Sequence, residues 1–270
     1  CQSIVKKAIV SRLSEAYGME TFPETGAPYT VKVTLLRDRA TITLDTSGAG
    51  LHKRGYRVMD VAAPIKETLA AAMVQLSFWK SGRVLADPCC GSGTIPIEAA
   101  MIGRNIAPGL NRKFAAEGWE AIPATVWKEE RRAAYKAIDY ETELTIYGSD
   151  IDGKAVAAAR ENAIAAGVDD CIRFRRLDVR DFRAEAPSGI IITNPPYGER
   201  IGEKKAIEAI YGAYRKFFQE NPDWSLFLIT TDKNVEQKIF GHEANRRRKL
   251  YNGRLEVCYY QFHGKRPGRE

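Results

Sequence analysis

Between residues 83 and 262, short apolar runs alternate with helical stretches, and this alternation restricts the chain more than any other feature. Arg83–Ala86, Leu144–Tyr147, Ile172–Arg175, Gly189–Thr193 and Trp224–Thr230 have the length and make-up of strands. Ile95–Ile102, Lys154–Ala166 and Ala206–Gln219 between them carry helical spacing. Strands separated by helices can return in the same direction, which gives a parallel sheet covered on both faces. Gly189–Thr193 is nearly all apolar, as such a doubly covered strand requires. Leu250–Tyr251 and Leu255–Phe262 flank Asn252-Gly253, a hairpin-turn signal, so one edge is expected to carry an antiparallel strand. The expected fold class is α/β, a doubly wound and mostly parallel sheet. The stretch 103–143, with Trp119, Trp127, Arg131, Arg132 and Tyr135, breaks the rhythm and reads as an insertion above the ligand edge of the sheet.

The first part of the chain is different. Residues 2–17 place Ile4, Val5, Ala8, Ile9 and Leu13 at helical spacing. A Gly/Pro-containing stretch runs from Gly18 to Pro28. Tyr29, Val31, Val33 and Leu35 alternate, as do Ala40, Ile42 and Leu44, and the Arg37-Asp38 link suggests a hairpin. This segment is too short for a comfortable core of its own, so it is expected to be the rear part of a larger accessory domain. The chain starts at Cys1 rather than Met, which points to something missing upstream. Residues 46–57 read as a linker that becomes part of a site. Pro64 then opens a helix expected to run to Lys80, with Ile65, Leu69, Ala72, Met73 and Leu76 on one side. The expected division is therefore 1–57 and 58–270.

Hydrophobic residues make up 44% of the chain, enough for a sizeable core. No window approaches the roughly 18 apolar residues of a membrane span. The five cysteines show no metal-ligand spacing, and His52, His242 and His263 show none either, so no metal is expected. Cys89 and Cys90 are adjacent, where a disulfide would be strained, and a reduced, cytoplasmic chain fits best. The net charge of +7 suits a polyanionic partner as well as it suits a plain soluble basic protein. Arg246–Lys249 (RRRK) ahead of a strand and the cluster Arg173, Arg175 and Arg176 are either phosphate contacts or solvated charged faces.

Residues 84–94 read VLADPCCGSGT: a strand ends, a Gly-x-Gly turn follows, a helix begins. Glycines serve where the chain turns sharply or a ligand must touch backbone. The third glycine of the dinucleotide fingerprint is replaced by Pro96, and no Lys-Ser/Thr follows for a phosphate loop. A ligand without phosphates remains. Asp87 can reach a cationic amine or the loop amides. Asp150, at the end of the next strand, can accept both hydroxyls of a ribose. Asp178, after the third, can take an adenine amino group with the Val179 amide beside it. Each acid alone is an ordinary loop charge; three at successive strand ends are not.

Thr193 ends an apolar strand, and Asn194-Pro195-Pro196-Tyr197 follows, with Gly198 after it. The prolines stiffen the backbone and remove two donors. The Asn194 side-chain oxygen and the Pro195 carbonyl are both acceptors. Together they can hold the two hydrogens of an aromatic amino group and turn its nitrogen lone pair toward an incoming methyl. Tyr197 offers a face for a base to stack on. The competing reading is a Pro-Pro turn with a surface tyrosine.

Asp87–Thr94 (DPCCGSGT) with Asn194–Tyr197 (NPPY) resembles the class I amino-methyltransferases, whose sheet is Rossmann-like. Leu51–Arg57 (LHKRGYR), Pro64–Leu69 (PIKETL) and the segment from Met101 to Trp119 are similar to the bacterial RNA methylases that carry an N-terminal THUMP domain, a group that includes ribosomal RNA guanine-N2 methyltransferases. The two short motifs also occur in DNA adenine methylases. The resemblance covers nearly the whole chain from Gln2, with the front of the THUMP domain absent. It implies that residues 1–57 are the C-terminal part of a THUMP-like RNA-binding domain and its linker, and 58–270 a catalytic domain. It implies S-adenosylmethionine as cofactor and RNA, ribosomal in particular, as partner. Asp87, Pro88, Cys89, Gly91, Gly93 and Thr94 would line the methionine end, Asp150 and Ile151 the ribose, Asp178 and Val179 the adenine. Asn194, Pro195, Pro196 and Tyr197 would hold the base, with Asn194 also beside the cofactor, and Arg54 and Tyr56 would close over the site. Guanine-N2 and adenine-N6 remain open on these residues. A glutamine side-chain amide and a non-catalytic relic are rivals, disfavoured by the Tyr197 face and by the intact Asn194 and glycine turn. Cys89 and Cys90 lie in the turn, not opposite a base, which speaks against a cysteine nucleophile.

Overall fold

A computed structural model describes residues 2–59, 61, 64–197 and 203–265. It divides the chain into two units, residues 1–48 with 114–123 and residues 49–113 with 124–270. In the first unit α1 (Gln2–Tyr17) occupies the expected helical stretch yet buries none of its residues. β1 (Thr30–Leu36) and β2 (Arg39–Asp45) form the expected antiparallel hairpin. Arg37 and Asp38 turn it with φ of 49° and 59°, the left-handed pair that matches the twist of two-residue hairpins. Val31, Leu35, Ile42 and Leu44 stay exposed, because a two-stranded ribbon supplies no second layer to cover them. The buried anchor of this unit is Trp119, which stacks on Tyr29 at 4.7 Å and donates its indole N–H to the Pro28 carbonyl. The unit thus takes in residues 114–123, from the stretch read as an insertion over the sheet.

The second unit opens with α2 (Glu67–Leu76), followed by β3 (Leu85–Asp87), α3 (Thr94–Gly103), α4 (Ala124–Lys136), β4 (Ile146–Asp150), α5 (Gly153–Ala166) and β5 (Ile172–Arg176). Then come β6 (Ile190–Thr193), α6 (Glu203–Glu220), β7 (Ser225–Thr230), α7 (Val235–Ile239), β8 (Arg246–Asn252) and β9 (Leu255–Phe262). The strands pair in the order β5-β4-β3-β6-β7-β9-β8. The first five are parallel; β9 is antiparallel to both β7 and β8. The antiparallel strand β9 is inserted between β7 and the edge strand β8. β3 lies between β4 and β6, where the order reverses, and ligands of open α/β sheets bind at such switch points.

Alternate residues of the buried strands feed two cores. Leu85, Ile146, Ile190, Ile192 and Phe227 pack with α2, α3 and α5. Ala86, Ile191, Leu226 and Leu228 pack with α6 and α7, against Tyr211, Tyr214 and Phe217. Each fully buried large side chain contributes on the order of 1.5–3 kcal/mol.

Two expectations need correction, and the 103–143 stretch gains a helix. The helix expected over Pro64–Lys80 is only Glu67–Leu76: the Ser77 hydroxyl donates to the Val74 carbonyl and accepts from the Trp79 amide, and the chain turns extended. Pro64 and Ile65 precede it and wall a cavity instead. The 103–143 stretch holds a helix, α4, which buries no residue and so left no core-facing stripe in the sequence; Arg131 ties it to the carbonyls of Leu110 and Arg112. The basic run Arg246–Lys249 is not a prelude to a strand but the first half of β8. Among the described residues no helix is long and apolar enough to cross a membrane, and no group of three His, Cys, Asp or Glu is placed to hold a metal ion.

β6, which leads into Asn194, is seated by Trp224, whose indole N–H donates to the Ala186 carbonyl at 3.0 Å. A Cβ at Gly189 would meet the Trp224 ring at 2.5 Å. Gly189→Ala is therefore expected to cost about 1–3 kcal/mol through overpacking, read as a lower urea midpoint at unchanged slope.

Candidate active site

The carboxyl ends of β3, β4 and β6 bring Asp87, Asp150 and Thr193 together. Asp87 is 1% exposed. Its Oδ1 accepts from the Cys89 amide at 3.1 Å and from the Thr193 hydroxyl at 2.8 Å. Burial pushes the Asp87 carboxyl up to about 7; its two hydrogen bonds oppose the shift and the charge of Asp150 adds to it. Behind this pair the Tyr214 hydroxyl donates to Thr193 Oγ1 at 3.4 Å, from the α6 side.

The glycine turn is held from β4. Asp150 Oδ2 accepts from the Gly91 amide at 3.0 Å, and Oδ1 from the Asp152 amide at 2.9 Å. The Cys90 amide donates to the Ser149 carbonyl at 2.9 Å. Gly93 has φ of 81°, and a Cβ there would sit 2.9 Å from the Ala159 Cβ and 3.0 Å from the Phe174 ring, so only glycine lets the turn close on α5 and β5. Each Asp150 oxygen accepts one of these hydrogen bonds and keeps acceptor capacity for a further donor, and the residue lines the cavity. The Cys89 thiol is pushed up to about 12 by burial and the Asp87 charge, and Cys90 is raised as well, so neither supplies a thiolate.

Two cavities open at this edge. A larger one of about 620 Å³ is lined by Asp87, Cys89, Cys90, Gly91, Ser92, Thr94 and Asp150 on one side and by Asn194, Pro195, Pro196 and Tyr197 on the other. A second, of about 300 Å³, is lined by Pro88, Ile151, Asp178, Val179 and, from α6, Ala206, Ala209 and Ile210. Cys89, Asp150 and Pro196 border both, so the two adjoin. Asn194 Oδ1 accepts from the Tyr197 hydroxyl at 2.7 Å, which fixes the amide and leaves its oxygen one lone pair. Tyr197 is partly buried against the α2–α3–α5 core. Gly198 lies outside the described residues. Asp178 is engaged by Arg180: Oδ1 accepts from its backbone amide and Nε, Oδ2 from Nη2 at 2.6 Å, and this lowers the Asp178 carboxyl below its ordinary range.

Arg54 and Tyr56 do not line either cavity. They border a separate one of about 210 Å³ with Met101, Ile106 and Tyr135. Tyr56 is buried and donates to Glu98 at 3.0 Å, and Arg54 Nε lies 3.5 Å from the same carboxylate. A buried carboxylate needs such partners, and it draws both side chains inward rather than over the strand ends. The neighbour that does reach the glycine turn is Arg57. Its guanidinium donates to Ser92 Oγ and Thr94 Oγ1, both at 3.1 Å, to the Ile65 carbonyl at 3.0 Å and to Glu67 Oε1 at 2.8 Å. Asn162, from α5, accepts from the amides of Val58 and Met59 and donates to the Met59 and Ser92 carbonyls. Sequence reasoning missed both as site residues; the one uncharged polar side chain in the alanine-rich stretch 154–166 was the available signal for Asn162. It also missed Lys66, Asn252, Gly253 and Leu255, which line the larger cavity from α2's start and the β8–β9 hairpin.

Known proteins are similar to this chain over nearly its whole length. The chain is 50% identical over 273 residues to YpsC of Bacillus subtilis, provisionally named an RNA methyltransferase, covering 100% of this chain and 71% of that one. It is 39% identical to ribosomal RNA large subunit methyltransferase K/L of Syntrophotalea carbinolica over 96% of this chain, which spans only 38% of that longer protein. The crystal structure of SMU.472, a provisionally assigned methyltransferase complexed with SAH, matches with a TM-score of 0.90 and 43% identity, over 98% of this chain and 70% of that one. The doubly wound α/β sheet expected from the sequence is thus the class I methyltransferase fold. The model of the RMKL-like methyltransferase domain matches residues 54–261, and the chain belongs to that family.

Proposed function

We propose that this chain transfers a methyl group from S-adenosylmethionine to the exocyclic amine of a base in RNA, guanine N2 of ribosomal RNA. The observation that carries the reading is that one cavity is bordered by both the glycine turn and all four residues Asn194–Tyr197. The names of the relatives support RNA, and ribosomal RNA within it, as substrate. The motif resemblance supports guanine N2 within that class. Residues 1–57 fit the rear part of a THUMP-like RNA-binding domain and its linker, with 58–270 as catalytic domain. A cytoplasmic enzyme accords with that substrate.

The donor set fits the cofactor. The apolar slot between Ile151, Val179 and Ile210 suits an adenine, Asp150 offers acceptors for ribose hydroxyls, and Asp87 faces a cationic head. Adenine contact by Asp178 requires it to share its carboxylate with Arg180. When bound, S-adenosylmethionine supplies the methyl group on a sulfonium, a good leaving group. Asn194 Oδ1, through its remaining lone pair, and the Pro195 carbonyl accept the two amine hydrogens of the base. This grip pulls the nitrogen lone pair out of conjugation and aims it across the cavity. Positioning is the main contribution, on a scale of about 7–11 kcal/mol for well-oriented reactants. The surplus amine proton leaves to water after transfer. A paired target base must first swing out of its helix, which costs a few kcal/mol.

Asn194→Ala is expected to lower methyl transfer on the order of a hundredfold while calorimetry gives an unchanged affinity for S-adenosylmethionine. A parallel loss of both would refute the division of the site into two halves.

Asp87 gives a pH signature. Its carboxyl in the folded chain stands at about 7, above the ordinary 3.8, so its contribution to stability is full below about 4 and is lost as pH rises through about 7. A cationic ligand favours the ionised form. Affinity for S-adenosylmethionine is therefore expected to rise as pH climbs through about 7, with proton release that calorimetry detects as a buffer-dependent heat. Asp87→Asn should flatten this profile; an identical slope in the variant would assign the titration elsewhere.

A further inference from the structure

β8 is the edge strand of the sheet, and among the described residues its outer side pairs with no other strand. Most edges of this kind are guarded by charge, which by itself asks for no ligand. The charge here is one-sided and placed. Arg246, Arg247, Arg248 and Lys249 follow one another along the exposed strand, and Arg254 stands in the exposed turn that joins β8 to β9. Arg247 is paired with Glu236 and Glu243, and Lys249 with Glu256. Among the described residues Arg246, Arg248 and Arg254 form no ion pair. Arg246 and Arg248 point to the same side of the strand, roughly 7 Å apart at two residues of rise.

The row leads somewhere. The residues at the hairpin tip, Asn252, Gly253 and Leu255, line the larger cavity together with Asn194–Tyr197. Arg254 therefore sits at the rim between two cavity residues. Beside it Tyr251 is 55% exposed, and the Lys249 ammonium lies 5.6 Å from its ring centroid. An exposed aromatic ring on one face of the edge strand and unpaired cations on the other, starting at the mouth of a cavity that takes one base, offer single-stranded nucleic acid what it requires: a face for a flanking base and charges for the backbone.

The basic cluster on the opposite edge of the sheet lacks these features. Arg175 is paired with Glu185 at 2.8 Å, Arg176 donates to the Ile151 carbonyl, and Arg173 lies over the Tyr147 ring. None of the three lines the larger cavity.

We infer that the β8 edge and the Gly253-Arg254 turn form the track along which a single-stranded RNA segment flanking the target nucleotide runs, with Tyr251 stacking on a neighbouring base, Arg254 contacting a phosphate at the cavity mouth, and Arg248 and Arg246 contacting a pair of phosphates farther along the strand. The inference rests on the proposed RNA-methylating activity and assigns it a substrate path.

The test uses the full chain, an unstructured oligoribonucleotide in fluorescence anisotropy, and methyl transfer to ribosomal RNA. The triple variant Arg246→Gln, Arg248→Gln, Arg254→Gln should raise KM for RNA at least tenfold and leave kcat and S-adenosylmethionine affinity unchanged. Three lost phosphate contacts should flatten the slope of log K against log salt by about two. Tyr251→Ala should weaken binding about tenfold with the salt slope preserved, since stacking releases no counterions. Unchanged KM and salt slope in the triple variant, with wild-type transfer intact, would overturn the track and leave the proposed activity standing. So would the same losses in Arg173→Gln, Arg175→Gln in place of the β8 variant. Absence of transfer to any RNA by the wild-type chain, with the cofactor bound, would overturn the activity itself and the track with it.

Discussion

The hydrogen bond from the Thr193 hydroxyl to Asp87 holds the two working halves of this molecule in one frame. Asp87 ends β3 and begins the glycine turn; Thr193 ends β6 and begins the Asn-Pro-Pro-Tyr turn. The two strands are neighbours at the point where the sheet reverses its order. A side-chain bond between them therefore sets the distance from the glycine turn to the Asn-Pro-Pro-Tyr turn more tightly than strand pairing alone. The same Asp87 oxygen also accepts from Cys89 of the turn, so one buried atom ties backbone of one motif to side chain of the other. A carboxylate in that position costs desolvation, which its two fixed hydrogen-bond donors offset in part.

A second set of bonds works from outside the sheet. Arg57 and Asn162 bind the 57–59 segment to Ser92 and Thr94 of the turn, and Arg57 also reaches Glu67 at the start of α2. The cavity wall made by Pro64, Ile65 and Lys66 is thereby joined to the turn through one guanidinium. Planar, multi-donor geometry explains an arginine at this place, since a lysine could not serve four acceptors in two directions.

Much of this could be read from the residues. Strand runs such as Gly189–Thr193 and the Asn252-Gly253 turn signalled their structure because burial on both faces, and left-handed turn backbone, each select few residue types. Motif residues at strand ends were legible for the same reason: polar and glycine residues interrupt apolar runs only where the chain needs them. Burial in the first 48 residues was not legible, because alternation reports that a face exists and not that anything covers it; Val31, Ile42 and Leu44 are exposed. Helix α4 escaped notice since no buried stripe marks it. The resemblance placed Arg54 and Tyr56 over the site, but the pull of Glu98 decides where they lie, and a contact forty-two residues away leaves no local trace. Arg57, three residues on, escaped for the matching reason.

The two thiols in the glycine turn have a consequence of another kind. Peroxides and alkylating agents attack thiolates, and the fraction of Cys89 ionised at neutral pH is negligible when burial and Asp87 hold it up to about 12. Cys90 is buried and raised in the same way. A turn with two adjacent sulfur atoms thus carries little thiolate at neutral pH, which lowers its reactivity toward oxidants and electrophiles alike.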